Sequence, residues 1–79
     1  MANYEYRVYR VRVEWEGEFY RLMVMKGRDK ETDWVDVNVI GADGWEFSSF
    51  IPGGKEHLKG TFTENELKYV ELALFKRAI

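Results

Sequence analysis

From Tyr4 to Trp15, apolar and charged residues alternate, and after Glu16-Gly17 the alternation resumes from Glu18 to Lys26. A period of two is the period of a strand, whose side chains point to opposite faces in turn. The tyrosines and valines suit a half-buried pleated surface. The two stretches therefore predict a β-hairpin, and with it a sheet. A two-residue turn at Glu16-Gly17 is the simplest connection. It sets Val13 opposite Tyr20, Val11 opposite Leu22 and Tyr9 opposite Val24, three apolar pairs on one face, as a buried face requires. The other face then receives Glu14 with Phe19, Arg12 with Arg21, and Arg10 with Met23. Within the first strand the apolar positions are even before Val8-Tyr9 and odd after it. A bulge, or a change in what covers the strand, accounts for the switch.

Beyond the hairpin the pattern is contested. Gly27 to Asp33 is a polar connector, and Thr32 is placed to cap a helix with Asp33 and Asp36 in its first turn. In Trp34-Val35-Asp36-Val37-Asn38-Val39-Ile40 the valines alternate strictly, as in a strand. Yet Trp34, Val37, Ile40 and Gly41 share one helical face. Trp45 to Ile51 reads as a strand ended by Pro52-Gly53-Gly54, and Lys55 to Glu66 as a long polar loop with local structure. Thr63-Glu64-Asn65-Glu66 has capping-box spacing, and Leu67, Val70 and Leu74 follow at helical intervals. The stretch from Tyr69 to Phe75 fits a strand equally well.

At 79 residues the chain makes one domain, 1–79. A core of this size leaves a thin stability margin. With no cysteine, neither a disulfide nor a thiolate zinc site adds to it. An aromatic core and self-association are the remaining compensations. A content of 46% hydrophobic and 33% charged residues places the chain among globular rather than disordered sequences. A formal net charge of −2 makes nucleic-acid binding an unpromising reading. No apolar run reaches membrane-span length, and the first residues lack the pattern of a signal peptide. The expected location is cytoplasmic, in a microbe or a phage-infected one.

Three segments together resemble the domain of unknown function 4177 family of small bacterial and phage proteins. They are Tyr4-Glu5-Tyr6-Arg7-Val8, then Val37-Asn38-Val39-Ile40-Gly41-Ala42-Asp43-Gly44-Trp45-Glu46-Phe47, and finally Phe75-Lys76-Arg77. The second is similar to the family's Leu-Asn-x-x-Gly-x-x-Gly-Trp-Glu-Leu core. They follow one another in the family's order. The resemblance implies a helix ending near Gly41 to Gly44, a strand after it, and a last strand carrying Phe75-Lys76-Arg77. The chain departs from the pattern in having valines where the family has leucines, and in the segment Glu18 to Lys26, which resembles an insertion. The family carries no assigned activity, so the resemblance implies a fold and no function. Read physically, Gly44 takes a left-handed conformation and stops the helix, Gly41 lets the helix approach the sheet, and Trp45 points into the layer between them. The expected fold class is α+β, a small antiparallel sheet in ββαββ order with one helix on one face.

Chemistry is sparse. His57 is the only histidine. Ser48 and Ser49 lie in nothing that resembles a nucleophile elbow, and a lone histidine needs an orienting partner. Asp29, Glu31 and Asp33 alternate like the opening of a calcium loop, but Trp34 and Ile40 stand at the required glycine and acidic positions. Gly53-Gly54-Lys55 has the wrong spacing for a phosphate loop, and Glu56 follows where Ser or Thr is needed. No catalytic residue, metal ligand or cofactor is expected. The hairpin's second face is the candidate binding surface: Arg10, Arg12 and Arg21 beside Phe19, Met23 and Met25. Such a set suits a solvated face, a protein interface, where arginine, methionine and aromatics are enriched, or an anion site. The expected function is a non-enzymatic binding or assembly module, homo-oligomeric through this face or through an exposed strand edge. The alternative is a binder of a small anionic, nucleotide-like ligand held by the three arginines.

Overall fold

The computed structural model describes residues 3–79. Its elements in chain order are β1 (Tyr4–Trp15), β2 (Tyr20–Met25), β3 (Trp34–Asp36), α1 (Val37–Gly41), β4 (Glu46–Phe50) and β5 (Val70–Ala78), with 3-10 turns at Gly54–Leu58 and Glu66–Lys68. The strands form one antiparallel sheet in the order β3-β2-β1-β5-β4. This is a small α+β domain dominated by its sheet. It departs from ββαββ by a fifth, three-residue strand and by a helix of five residues.

The hairpin forms in a different register. The last pair is Trp15↔Tyr20, so Glu16 to Phe19 make a four-residue loop, closed by the Glu16 N–H donating to the Phe19 carbonyl at 2.9 Å. Gly17 supplies the positive φ of 92° that the loop needs. Val11 now faces Val24, and Val13 faces Leu22. A slip of two residues keeps every side chain on its expected face. It does change the pairs: Arg12 faces Met23 and Arg21 faces Glu14, which removes the Arg12–Arg21 repulsion of the shorter turn. Tyr20 gains a ring partner as well, its centroid 4.8 Å from that of Trp15.

No bulge interrupts β1, whose pairing with β5 runs unbroken from Tyr4↔Ala78 to Arg12↔Val70. Burial within the chain accounts for the later, odd phase only. Odd positions Tyr9 and Val11 lie under α1, packed with Val24, Ile40, Trp45, Ala73 and Phe75. On the other face the Gly54–Lys68 segment folds over a second cluster of Met25, Leu58, Phe62 and Val70. Even positions Tyr4, Tyr6 and Val8 lie beyond that cover and stay exposed.

The contested segment Trp34 to Ile40 is both strand and helix. Trp34, Val35 and Asp36 pair with Met25, Val24 and Met23. The chain then turns, and the Asp36 carboxylate accepts the Asn38 N–H at 2.8 Å. The helix cap is therefore Asp36 and not Thr32, which lies upstream of β3. At the C-terminus the capping box closes as expected: the Thr63 N–H donates to Glu66 Oε1 at 2.8 Å and the Glu66 N–H to Thr63 Oγ1 at 3.3 Å. It opens only one 3-10 turn, because β5 then gains pairing along both β1 and β4.

At the corner after α1, Gly44 has φ 90° and its N–H reaches the Gly41 carbonyl at 2.9 Å. Trp45 follows and is buried between helix and sheet. Gly41 plays no part in a close approach, since it is exposed and a Cβ there would meet nothing within 4 Å. The two glycines thus separate cleanly. A β-carbon at Gly44 meets both the wrong φ and the Arg77 side chain at 3.2 Å. Gly44→Val is expected to cost roughly 1–3 kcal/mol, whereas Gly41→Ala is expected to stabilise by roughly 0.5–1 kcal/mol. Urea unfolding of the two variants checks both signs.

Candidate functional site

The strand period places Arg10, Arg12, Arg21, Met23 and Met25 on one face of the sheet, as expected. They do not form one open surface. Met25 is buried in the second core cluster, Met23 is half-buried, and Phe19 sits in the hairpin loop with its ring exposed. The Gly54–Lys68 segment, which contains the expected polar loop Lys55 to Glu66, is what covers this end of the face.

The three arginines have separate surroundings. The Arg21 Nε lies 3.1 Å from Asp36 Oδ2, with Glu16 at 3.7 Å. The Arg12 guanidinium stacks 4.3 Å from the centroid of Trp34 and pairs with Glu14 at 2.5 Å. Arg10 has no carboxylate at ion-pair distance among the described residues, and its Nε is buried without a hydrogen-bond partner there. It borders a cleft of about 370 Å³ whose other walls include Lys26, His57, Leu58 and Leu72. The sequence does not single out Lys26, and His57, a lone histidine without an orienting partner there, reaches the end of β2 only through the folded Gly54–Leu58 turn.

On the opposite face the arginines are structural. Arg7 and Arg77 stack on Trp45, at 4.6 and 4.5 Å from its ring. Arg7 also donates to the Tyr9 hydroxyl at 3.0 Å, which is the main reason its pKa lies above the ordinary arginine value. Arg77 pairs with Glu5 and donates to the Asp43 carbonyl at 3.2 Å. The three segments that carry the family resemblance thus meet at one place, through Glu5 and Arg7, Asp43 and Trp45, and Phe75 and Arg77.

The acidic connector is occupied with its own backbone. Asp29 Oδ1 accepts the Glu31 N–H, and Asp33 Oδ2 accepts the Asp29 N–H, both at 2.8 Å. Among the described residues no group of three or more histidines or carboxylates is placed to hold a metal ion, and no helix is long and apolar enough to cross a membrane. The chain matched no family model, no curated protein and no solved structure.

The most perturbed carboxylate lies away from the cleft. Glu66 is lowered from 4.5 to about 2, first by the hydrogen bond from Lys30 and then by the Thr63 N–H. The Lys30 Nζ lies 2.8 Å from Glu66 Oε1, and the Lys30 carbonyl accepts the Trp34 indole N–H at 2.7 Å. A carboxyl whose folded pKa is depressed contributes stability that is full above its unfolded value and fades as pH falls through the folded one. Glu66→Gln is therefore expected to melt below the wild type above pH 4.5, and the gap is expected to close as pH falls toward 2. Thermal unfolding across that window measures it.

Proposed function

We propose that this chain is a non-enzymatic assembly module of the microbial cytosol that works as a homo-oligomer. We also propose that it shares descent with the domain of unknown function 4177 family. The family reading is supported by the meeting of its three segments around Trp45. The assembly reading is carried by one observation. Tyr4, Tyr6 and Val8 alternate as a buried strand face does, yet they are 41%, 61% and 49% exposed.

The occupant that fits this surface is a second copy. Leu74 lies directly opposite Val8, and Lys76 opposite Tyr6. Lys76 sits 4.9 Å from the Tyr4 ring and 3.7 Å from a Glu46 carboxylate oxygen. An aromatic patch rimmed by one charge of each sign is complementary to itself under two-fold rotation, as an isologous interface must be. The molecule measures 43 × 31 × 21 Å, a slab with broad faces. A standard interface takes about 800 Å² from each partner.

Face-to-face packing is favoured over edge pairing, because both edges are blunted. β3 has three residues, and the β4 register shifts between Phe47 and Ser49. Short strands and bulges both discourage the addition of a further strand. Relative to the sequence reading, the contact surface moves along the same face, from the covered hairpin half to the uncovered N-terminal half of β1.

Sedimentation velocity over a concentration series tests this reading. The wild type is expected to associate, and Tyr6→Glu to weaken association by about 2 kcal/mol or more, the size of a hot-spot residue. Because Tyr6 is exposed within one chain, its replacement should leave the unfolding midpoint of the dissociated protein nearly unchanged. A wild type that remains monomeric at millimolar concentration overturns the reading.

A further inference from the structure

The cleft beside Arg10 arises from a mismatch of strand lengths. β1 continues to Tyr4, but its pairing with β2 begins only at Val11↔Val24. Past Met25 the chain leaves the sheet through Lys26 and Gly27, so one side of β1 is left open at Arg10. The Gly54–Leu58 turn roofs the opening and brings His57 to it. We infer that this cleft binds a small organic anion, with a phosphate or carboxylate head and an apolar body.

Four observations converge on that class. First, Arg10 is the sheet arginine left without a partner: Arg12, Arg21 and Arg77 have carboxylates and Arg7 has the Tyr9 hydroxyl. Second, its Nε is buried and unpaired among the described residues, as is that of Arg12, whose Nη2 nevertheless reaches Glu14. A buried donor in that state forfeits its solvation unless an acceptor arrives. Third, the lining includes Arg10, Lys26 and His57 and no aspartate or glutamate. The cleft thus offers a planar guanidinium fork, an ammonium and an imidazole, which together suit an oxyanion. Fourth, the rest of the wall is apolar, with Val8, Leu58 and Leu72, and Leu72 lies directly opposite Arg10 across the sheet. An inorganic ion would leave that wall wet, whereas an organic anion covers it.

The size narrows the class further. About 370 Å³ lies at the low end of small-molecule sites. It accommodates one ring or a short chain behind the charged head and excludes a dinucleotide. All the lining residues belong to one chain, and one of them, Val8, also lies in the proposed contact surface, so binding is measured on the dissociated protein.

Titration calorimetry with phenyl phosphate, benzoate, inorganic phosphate and benzyl alcohol tests the inference. Phenyl phosphate or benzoate is expected to bind at one per chain, about tenfold tighter than inorganic phosphate, with benzyl alcohol giving no heat. Comparison of the two organic anions tells whether the head is phosphate or carboxylate. Arg10→Met is expected to weaken the binding by about tenfold or more, because the charge-assisted bonds are lost. The double variant Lys26→Ala/His57→Ala alters two exposed side chains, so it keeps the test open if Arg10→Met folds poorly, and it must weaken binding as well. Absence of binding by both organic anions overturns the inference. So does binding that survives in the double variant unchanged, or benzyl alcohol binding as well as phenyl phosphate.

Discussion

β1 pairs with β5 along its first nine residues, from Tyr4 to Arg12, and with β2 only from Val11 to Trp15. The two pairings overlap at Val11 and Arg12, and there the sheet runs four strands wide, from β3 to β5. The core forms at this overlap. Val11, Val24 and Ala73 lie under α1, while Met25 and Val70 lie under the Gly54–Lys68 segment. Away from the overlap each half of β1 has one strand neighbour fewer. The hairpin half ends in the Trp15–Tyr20 pair at its tip, and the N-terminal half leaves Tyr4, Tyr6 and Val8 uncovered. The cleft at Arg10 marks the step between them. One inequality of strand length thus sets the position of the core, the open patch and the cleft.

A domain of this size has little apolar surface to bury, and the chain extends its core with cations placed on aromatic rings. Arg7 and Arg77 enclose Trp45 on the helix-bearing face, and Arg12 lies on Trp34 on the other. Such contacts contribute about 0.5–1 kcal/mol at exposed sites and more when desolvated. The long side chains also shield ring surface with their methylene stems while the charged ends reach carboxylates. This arrangement explains why the arginines are so unevenly available. Those beside tryptophans or acidic residues are committed to the fold, and Arg10, opposite Leu72, is not.

The parts of this structure legible in the sequence are those fixed by short-range period. Alternation identified β1, β2 and their faces, because side-chain direction in a strand depends on the residue's own position. The register was not legible. It is decided by pairs across the hairpin, and a four-residue loop with Trp15 on Tyr20 wins over the shorter turn. Trp34 to Ile40 defeated both period readings because the change from strand to helix falls inside it, at Asp36, where one side-chain hydrogen bond turns the chain. The Thr63–Glu66 box was real as a local motif, but the ladder β5 forms with two strands outweighs one helical turn. The candidate site divides along the same line. That Arg10, Arg12 and Arg21 share a face follows from period two. That Asp36 holds Arg21, Trp34 supports Arg12 and His57 arrives beside Arg10 depends on β3 and the Gly54–Leu58 turn, which reach this face only through the tertiary fold.

The residues that hold the fold and those left exposed are separable. The helix-side cluster and the second cluster lie on opposite faces of the sheet, and Val11, Val24 and Ala73 of the first and Val70 of the second are each nearly inaccessible. Tyr4, Tyr6 and Val8 belong to neither cluster. Apolar side chains that contribute little to the chain's own burial, set in a regular row beside Leu74, are therefore not explained by folding alone. The proposed contact with a second copy would account for them, with Lys76 and Glu46, which pair with each other within one chain, at its rim.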